Sequence, residues 1–310
     1  MTHCRKYLFP ALFTASIAAH GALAGEIAHD LGKTDVPDNP ERIVVLEFSF
    51  IDALASVGIV PVGIADDNNP DRVMTVYGEV LGDDWTSVGT RKTPSLEIIA
   101  SLQPDLIIAD TTRHTDAYET LGQIAPTIVL DSLGGDYHDS VSQMAVIGEA
   151  IGKPDEMEAR IARHKATMAE HADRIRPHAE GVTAQFGVAN ATGLYLHSPS
   201  SYNGSLLEMF GFSSEMTPGA GGVYETNYVE TTLEGLSELD PDILILGEYS
   251  DPSATDNWAG EPLWEALTAV QTGEVHYVTA NNWSRLRGMV AAELTAADLL
   301  EIVGSDDSGS

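Results

Sequence analysis

The chain has a single cysteine in 310 residues, Cys4, and it stands close to the amino terminus. Basic residues are also scarce: 16 Lys plus Arg face 47 Asp plus Glu, a formal net charge of −31 at pH 7. One cysteine excludes a disulfide framework, so a hydrophobic core must hold the fold, and a chain of this length can supply one. The charge excludes nucleic acid as a natural partner. Chemical motifs are lacking too. No serine sits in a nucleophile elbow and no His-Glu-x-x-His zinc signature occurs. The acidic pairs Asp66-Asp67 and Asp83-Asp84 read as turn chemistry rather than as acid/base dyads. The acids are scattered, not clustered as a calcium or magnesium site would need, and read as a solubilising surface suited to a salty exterior. His164, His171 and His178 recur every seven residues, a spacing that suggests a surface stripe on a helix rather than a shared metal. Gly219–Gly222 is a loop without the spacing of a phosphate cradle.

The apolar run that is present decides the compartment. Arg5 and Lys6 precede Tyr7–Ala19, and Ala22-Leu23-Ala24 is a small-x-small cleavage pattern. The run is shorter than the roughly 20 residues that span a bilayer and contains Pro10. Residues 1–24 are therefore expected to be an export signal, with a mature chain starting at Gly25 and released into the periplasm. Cys4 precedes the run and so cannot be the lipid-bearing cysteine of a lipoprotein. Removing the signal takes Arg5 and Lys6 with it, leaving 47 acids against 14 basic residues, or −33.

Among the remaining residues the dominant feature is a repeat. Ser95–Asp110, SLEIIASLQPDLIIAD, returns as TLEGLSELDPDILILG at Thr232–Gly247. Each copy reads as a turn of amphipathic helix, a Pro-Asp break and an apolar run of the kind buried on both faces of a parallel sheet. The spacing predicts first-lobe strands in Arg42–Glu47, Pro61–Asp66, Asp105–Asp110 and Thr127–Asp131, separated by helices. Ser49 and Asp52 form a Ser-x-x-Asp capping signal for a helix that Gly58 stops. Asp139–Ile151 and Glu156–Arg176 keep helical spacing and predict a long connector. Second-lobe elements follow as a strand at Ala184–Asn190, a helix at Ser205–Phe210 ended by Gly211, strands at Asp242–Glu248 and Val275–Thr279, and a last helix at Ala291–Val303. The expected organisation is an α/β lobe over 25–138, a connecting helical segment over 139–178, a second α/β lobe over 179–304 and a disordered tail at 305–310. Two such lobes face one another across a cleft suited to a small ligand.

Chemistry concentrates in four arginines. Arg285 and Arg287 follow the last predicted strand, Arg91 follows Val88-Gly89-Thr90, and Arg113 follows the strand ending at Asp110. All four lie in connections near the cleft mouth, where guanidinium groups present paired donors to carboxylate oxygens. Taken singly, each arginine could equally pair with one of the many acids nearby. Trp283 and Tyr249 also follow predicted strands and are candidates to floor the cleft, although a bulky aromatic there is as often simple packing. His114, beside Arg113, is a candidate contact or a solvated loop histidine.

RIVVLEFSFIDALASVGIVPVGIADD, SVGTRKTPSLEIIASLQPDLIIADTTRH and NNWSRLRGMVAAE resemble the ferric-citrate-binding branch of the substrate-binding proteins of iron-siderophore ABC uptake systems. The resemblance implies two Rossmann-like lobes joined by one long helix, no catalysis and no cofactor. It implies capture of an anionic iron-citrate complex and its delivery to an inner-membrane ABC permease, by a protein expected to be monomeric. Arg91, Arg113, Arg285 and Arg287 fall where that group carries its citrate contacts, and iron would be held by citrate rather than by side chains. Tyr202 stands where tryptophan is expected, keeping an aromatic for stacking in the cleft. Glu97 and Glu234, equivalent in the repeat, stand where the family docks on its permease; Glu97 behind Pro94, and Glu234 in a capping box with Thr231, would also serve as helix-stabilising acids. The alternatives are a receptor for another siderophore, haem or a corrinoid, or, in a different class, an exported α/β hydrolase with an anionic substrate.

Overall fold

The computed structural model describes residues 23–304. The expected signal lies outside them except for Leu23 and Ala24, which open the first strand, and the expected tail at 305–310 lies outside them as well. In chain order the strands are β1 (Leu23–His29), β2 (Gly32–Pro37), β3 (Ile43–Val45), β4 (Gly63–Ile64), β5 (Thr86–Ser87), β6 (Leu106–Asp110) and β7 (Thr127–Leu130). β8 (Ala184–Ala189), β9 (Leu194–His197), β10 (Tyr228–Thr231), β11 (Ile243–Glu248) and β12 (Val275–Val278) follow.

The first sheet runs β5-β4-β3-β6-β7, all parallel. β3, β6 and β7 are buried throughout, as expected of strands covered by helices on both faces. Strand order reverses between β3 and β6, and ligands of such sheets bind beyond the carboxyl ends of the strands at that crevice. The hairpin β1-β2, which local patterning did not predict, lies against β7: Asp30 donates its N–H to the Val129 carbonyl at 3.0 Å, and the Thr34 hydroxyl donates to the Thr127 carbonyl at 2.9 Å. It covers an edge that would otherwise be open to pairing. The second sheet runs β10-β9-β8-β11-β12, with β8, β11 and β12 parallel and β9 antiparallel to both of its neighbours, β8 and β10. The second lobe is therefore a mixed sheet, and β9 and β10 were also not anticipated.

The two copies of the repeat occupy matching places. Ser95 and Thr232 are the N-caps of Leu96–Ser101 and Leu233–Leu239, accepting from the Ile98 and Gly235 N–H groups at 3.3 and 3.2 Å. The cap of the second helix is thus Thr232 and not Thr231. The aspartate of each Pro-Asp pair fastens its strand to a neighbour: Asp105 accepts from the Glu41 and Arg42 N–H groups, and Asp242 from the N–H and hydroxyl of Thr183.

Helix Tyr137–Ala150 is closed at its start by an Asp136–Asp139 capping box, and Pro154 opens the 26-residue helix Pro154–Ala179 at the position where a missing N–H costs nothing. Met157 of that long helix sits in the first-lobe core, while Met168, Ala172, Ile175 and Ala179 sit in the second. The C-terminal helix Met289–Gly304 crosses in the same way, with Met289 and Ala291 in one core and Ala292, Ala296 and Leu299 in the other. Glu293 ties the two crossing helices together through Arg160, with both contacts at 2.9 Å, and His164 at 2.8 Å. His164 is fully buried and also bonds Tyr137. The expectation of a surface stripe fails for this histidine, because its face of the helix is the one that meets Met289–Gly304.

The expected Ser49–Asp52 cap does not form either. The helix already runs over Phe48–Ser56 with no side-chain cap, and Gly58, at φ 73°, ends it. Ser49 instead bonds Ser132, and Asp52 reaches across the lobes to accept from the N–H groups of Met289, Val290 and Ala291 at 2.7, 3.2 and 3.0 Å. A first-lobe carboxylate thereby caps the second bridging helix.

Candidate functional site

The carboxyl ends of the first-lobe strands deliver a charged floor. Glu47 follows β3, Asp67 follows β4, Arg91 follows β5, and Arg113 follows β6. Glu47 is fully buried; its Oε2 accepts from Arg91 Nη1 at 3.2 Å and its Oε1 from Arg113 Nε. Burial alone would raise the Glu47 pKa, but Arg91, Arg113 and the more distant Arg287 overcome that and hold it below the usual carboxylate value. Arg91 is further gripped by Asp67, at 3.1 Å from Nε and 2.8 Å from Nη2, and lies 4.0 Å over the Phe48 ring. Asp67 in turn accepts from Arg72 at 2.7 Å. Arg113 leads from Glu47 to the other lobe, donating Nη1 to the Tyr224 hydroxyl at 2.8 Å.

His114 lies beneath this floor rather than in solvent. It is buried, accepts the Asp110 N–H at Nδ1 and bonds the Arg91 carbonyl through Nε2 at 2.8 Å, so the neutral ring fixes the backbone of Arg91. Burial lowers its pKa. Asp110 accepts from the N–H groups of Arg113, Ser132 and Leu133; burial first, then the charge of Glu47, pushes its pKa up to about 6.

The second-lobe arginines differ in kind. A wide π turn, Asn281–Arg285, follows β12 and carries Trp283, Ser284 and Arg285. The Arg285 guanidinium lies 3.9 Å over the Tyr249 ring, and burial lowers its pKa. Arg287 is only 4% exposed, donates Nη2 to the Tyr228 hydroxyl at 2.7 Å, and leaves its buried Nε–H without a partner. Among the described residues neither arginine has a carboxylate within ion-pairing distance. Pairing with a neighbouring acid thus accounts for Arg91 and Arg113 but not for Arg285 and Arg287.

All four arginines line one cavity of about 310 Å³ between the lobes, with Leu133, Tyr224, Tyr228, Tyr249 and His197 among its walls. Its rim is tied across the lobes by Tyr228, whose hydroxyl donates to the Leu133 carbonyl at 3.2 Å, and by Asn227, which donates to the Gly134 carbonyl at 3.1 Å. His197 is buried against Phe186 and Tyr228, and burial, reinforced by Arg287, takes its pKa down to about 3, so it faces the cavity as a neutral ring.

Two aromatics expected at the cleft are not on its wall. Trp283 is fully buried in the second-lobe core, tilted against Phe186 and donating its indole N–H to Asp298 at 2.7 Å. Tyr202 is buried beside Tyr137, donating to the Gly288 carbonyl at 2.7 Å and accepting the Gly288 N–H at 3.2 Å. Both hold the segment that carries the arginines instead of contacting what lies between the lobes. Tyr249, 40% exposed, does line the cavity.

Glu47, Tyr224 and Tyr228 escaped the sequence reading, and Asp67, read there as turn chemistry, also grips Arg91 and Arg72. A carboxylate directly after a fully apolar strand was the one signal for Glu47, but its arginine partners lie 44 and 66 residues away in sequence. Glu97 and Glu234 are exposed in the first turns of the two repeat helices, remote from the cavity lining. Glu97 accepts from the Ser95 hydroxyl at 3.2 Å; the Glu234 carboxylate accepts from the backbone N–H of Glu234 itself and from the Thr232 hydroxyl, which lower its pKa.

With this geometry in hand, similarity to known proteins is specific. The family model described as periplasmic binding protein matches residues 43–281. The Fe(3+)-citrate-binding protein YfmC of Bacillus subtilis (strain 168) is 41% identical over 278 residues, covering 89% of this chain and 85% of that protein. The Fe(3+) dicitrate-binding periplasmic protein FecB of Escherichia coli (strain K12) is 39% identical over 297 residues, covering 96% and 95%. In fold, the chain resembles Staphylococcus aureus SirA, solved in complex with staphyloferrin B, with a TM-score of 0.77 at 21% identity over 90% of this chain and 98% of that one.

Proposed function

Since the chain belongs to the periplasmic binding protein family, we propose that it captures an anionic ferric-citrate complex in the arginine-lined cleft and delivers it to an inner-membrane ABC permease. The observation that carries this reading is that Arg285, half-buried, and Arg287, buried, have no carboxylate partner and share a cavity with Arg91 and Arg113. A buried cation without a counter-ion is costly, and a ligand rich in carboxylates relieves that cost. The cavity, about 310 Å³, lies at the small end of ligand sites, which suits a compact complex.

Net charge does not oppose this. Surface acids beyond about 8 Å are screened, whereas a close pair near the surface attracts by about 4 kcal/mol before desolvation. Guanidinium and phenol groups dominate the polar wall, and these meet the outer oxygens of an anion; the hard ferric ion takes its oxygen ligands from citrate. The protein acts as a binding protein without catalysis or cofactor, as a monomer, in the periplasm after loss of residues 1–24. Glu97 and Glu234, one per lobe, present the like charges that dock it on the permease.

Calorimetric titration of the purified mature protein with ferric citrate, metal-free citrate and haem tests the assignment. Saturable binding of ferric citrate is expected. Binding of haem alone, or of none of the three, would refute it.

A further inference from the structure

The arginine-lined cavity has a neighbour between the lobes. A second cavity of about 570 Å³ opens beside it, walled by Arg72 and Thr75 of the first lobe and by Glu248, Thr279 and Asn282 of the second, and spanned by a hydrogen bond from Asn281 Nδ2 to the Arg72 carbonyl at 2.9 Å. Tyr249 and Arg285 are the two side chains common to both linings, so their stack, 3.9 Å from guanidinium to ring, is the partition between the two spaces. The partition is lightly held. Tyr249 is anchored through its backbone, whose N–H donates to the Ala189 carbonyl at 2.9 Å, but its exposed ring is held by Arg285 and its hydroxyl by Ser284, both on the wide turn Asn281–Arg285. We propose that the Tyr249–Arg285 stack is the size-selecting element of the cleft: closed, it confines the ligand to the smaller cavity and excludes ferric complexes whose citrates are joined through an amide-bearing linker. The inference rests on the ferric-citrate reading above.

The two cavities differ in size and in charge. The smaller lies at the low end for ligand sites, and with the stack displaced the joined space reaches the upper part of that range. Four arginines concentrate carboxylates in the smaller cavity, whereas in the larger one Asp71 and Glu248 offset Arg72 and Arg285. A charge-balanced wall with threonine hydroxyls and asparagine amides offers no second seat for a cluster of carboxylates; it suits the neutral amide arm that linked citrates carry beside their iron. Compact ferric citrate has no such arm and needs no opening. Opening the partition costs the cation–π contact and the hydroxyl bond of Tyr249, which together correspond to about 30-fold in a dissociation constant. That cost falls on the linked complex alone.

The test compares dissociation constants for ferric citrate and for the ferric complex of two citrates joined by amide bonds through a diaminobutane. The parental protein should favour ferric citrate by at least about 30-fold. In Tyr249→Ala the ratio of the two constants should narrow by about 30-fold, because the ring is gone while the carboxylates of both ligands still meet the same arginines. Tyr249→Phe keeps the ring against Arg285 and loses only the hydroxyl, so its ratio should stay within about fivefold of the parent. Thr75 lines the second cavity and not the first: Thr75→Trp should bind ferric citrate like the parent, and Tyr249→Ala/Thr75→Trp should recover the parental ratio by filling the space that the linker would enter. A parental protein that binds the linked complex as tightly as ferric citrate or more tightly, an unchanged ratio in Tyr249→Ala, or a double variant that keeps the narrowed ratio would overturn the proposal. Failure of the ferric-citrate reading shows separately, as a parental protein that binds neither complex.

Discussion

Arg287→Met should separate ligand binding from stability. The guanidinium is 4% exposed, has no carboxylate within ion-pairing distance and leaves one buried N–H unsatisfied, so in the free protein it contributes its hydrogen bond to Tyr228 and a longer-range attraction to Glu47. Losing that bond costs about 1 kcal/mol, and removing a desolvated, unpaired charge offsets it. Methionine fills comparable space and adapts to the gap. The melting temperature of the free protein should therefore stay within about 3 °C of the parent, the shift that corresponds to roughly 1 kcal/mol in a domain of this size. Binding should respond differently. Truncating one partner of a buried charged contact costs about 2 to 5 kcal/mol, so the dissociation constant for ferric citrate should rise by about 30- to 4,000-fold. Calorimetric titration and thermal melts on the same preparation measure both quantities. Parental affinity in Arg287→Met, or a melting temperature depressed by more than about 10 °C, would refute the reasoning.

Arg91→Met should also cost stability, by about 3 to 5 kcal/mol in urea unfolding, because it leaves buried Glu47 with Arg113 alone and half-buried Asp67 with Arg72 alone; a variant as stable as the parent would contradict this. Stability should also vary with pH in two directions. Asp110, raised from 3.8 to about 6, contributes stability that is full below its unfolded pKa and is lost as pH rises through about 6. Glu47 and Asp67, held below their usual values, contribute stability present above those values and lost as pH falls through their lowered ones. Buried His197, taken from 6.5 down to about 3, and His114, also lowered, contribute stability present above about 6.5 and lost as pH falls, which outweighs the Asp110 contribution. Urea midpoints should therefore rise from about pH 3 and level off above about pH 6.5, and a midpoint that peaks near about pH 5 and falls toward about pH 8 would count against this balance. Glu97→Ala and Glu234→Ala should leave ferric-citrate affinity intact while lowering uptake or permease-stimulated ATP hydrolysis, more so together; equal transport by the double variant would reduce both residues to helix-terminal acids.

Legibility of the sequence followed the range of the interaction. β3, β6, β7, β8 and β11 were visible because their apolar runs are buried on both faces, and the long connector was visible because helical spacing and the absence of proline from Asp155 to Arg176 are local properties; the helix runs on past Arg176, through Pro177, to Ala179. The four arginines were visible because strand-to-loop junctions can be counted along the chain. What depended on distant partners was not visible. Asp52 carries the spacing of a local cap, but the N–H groups it satisfies are more than 230 positions away. Tyr202 and Trp283 resemble cleft aromatics in one dimension; only packing shows that the first is bonded to Gly288 and the second to Asp298. The strands β9 and β10 are only four residues each, pair with one another in antiparallel register, and sit among glycine and serine residues that read as loop.

The central claim is that an iron complex is held between the arginines of the two lobes with no side chain on the metal. Anomalous diffraction at the iron edge from crystals grown with ferric citrate tests it most directly. Iron density inside the cavity bounded by Arg91, Arg113, Arg285 and Arg287, surrounded by citrate oxygens and beyond bonding distance of every protein atom, is the predicted result. Iron outside that cavity, or bonded directly to a side chain, would contradict it.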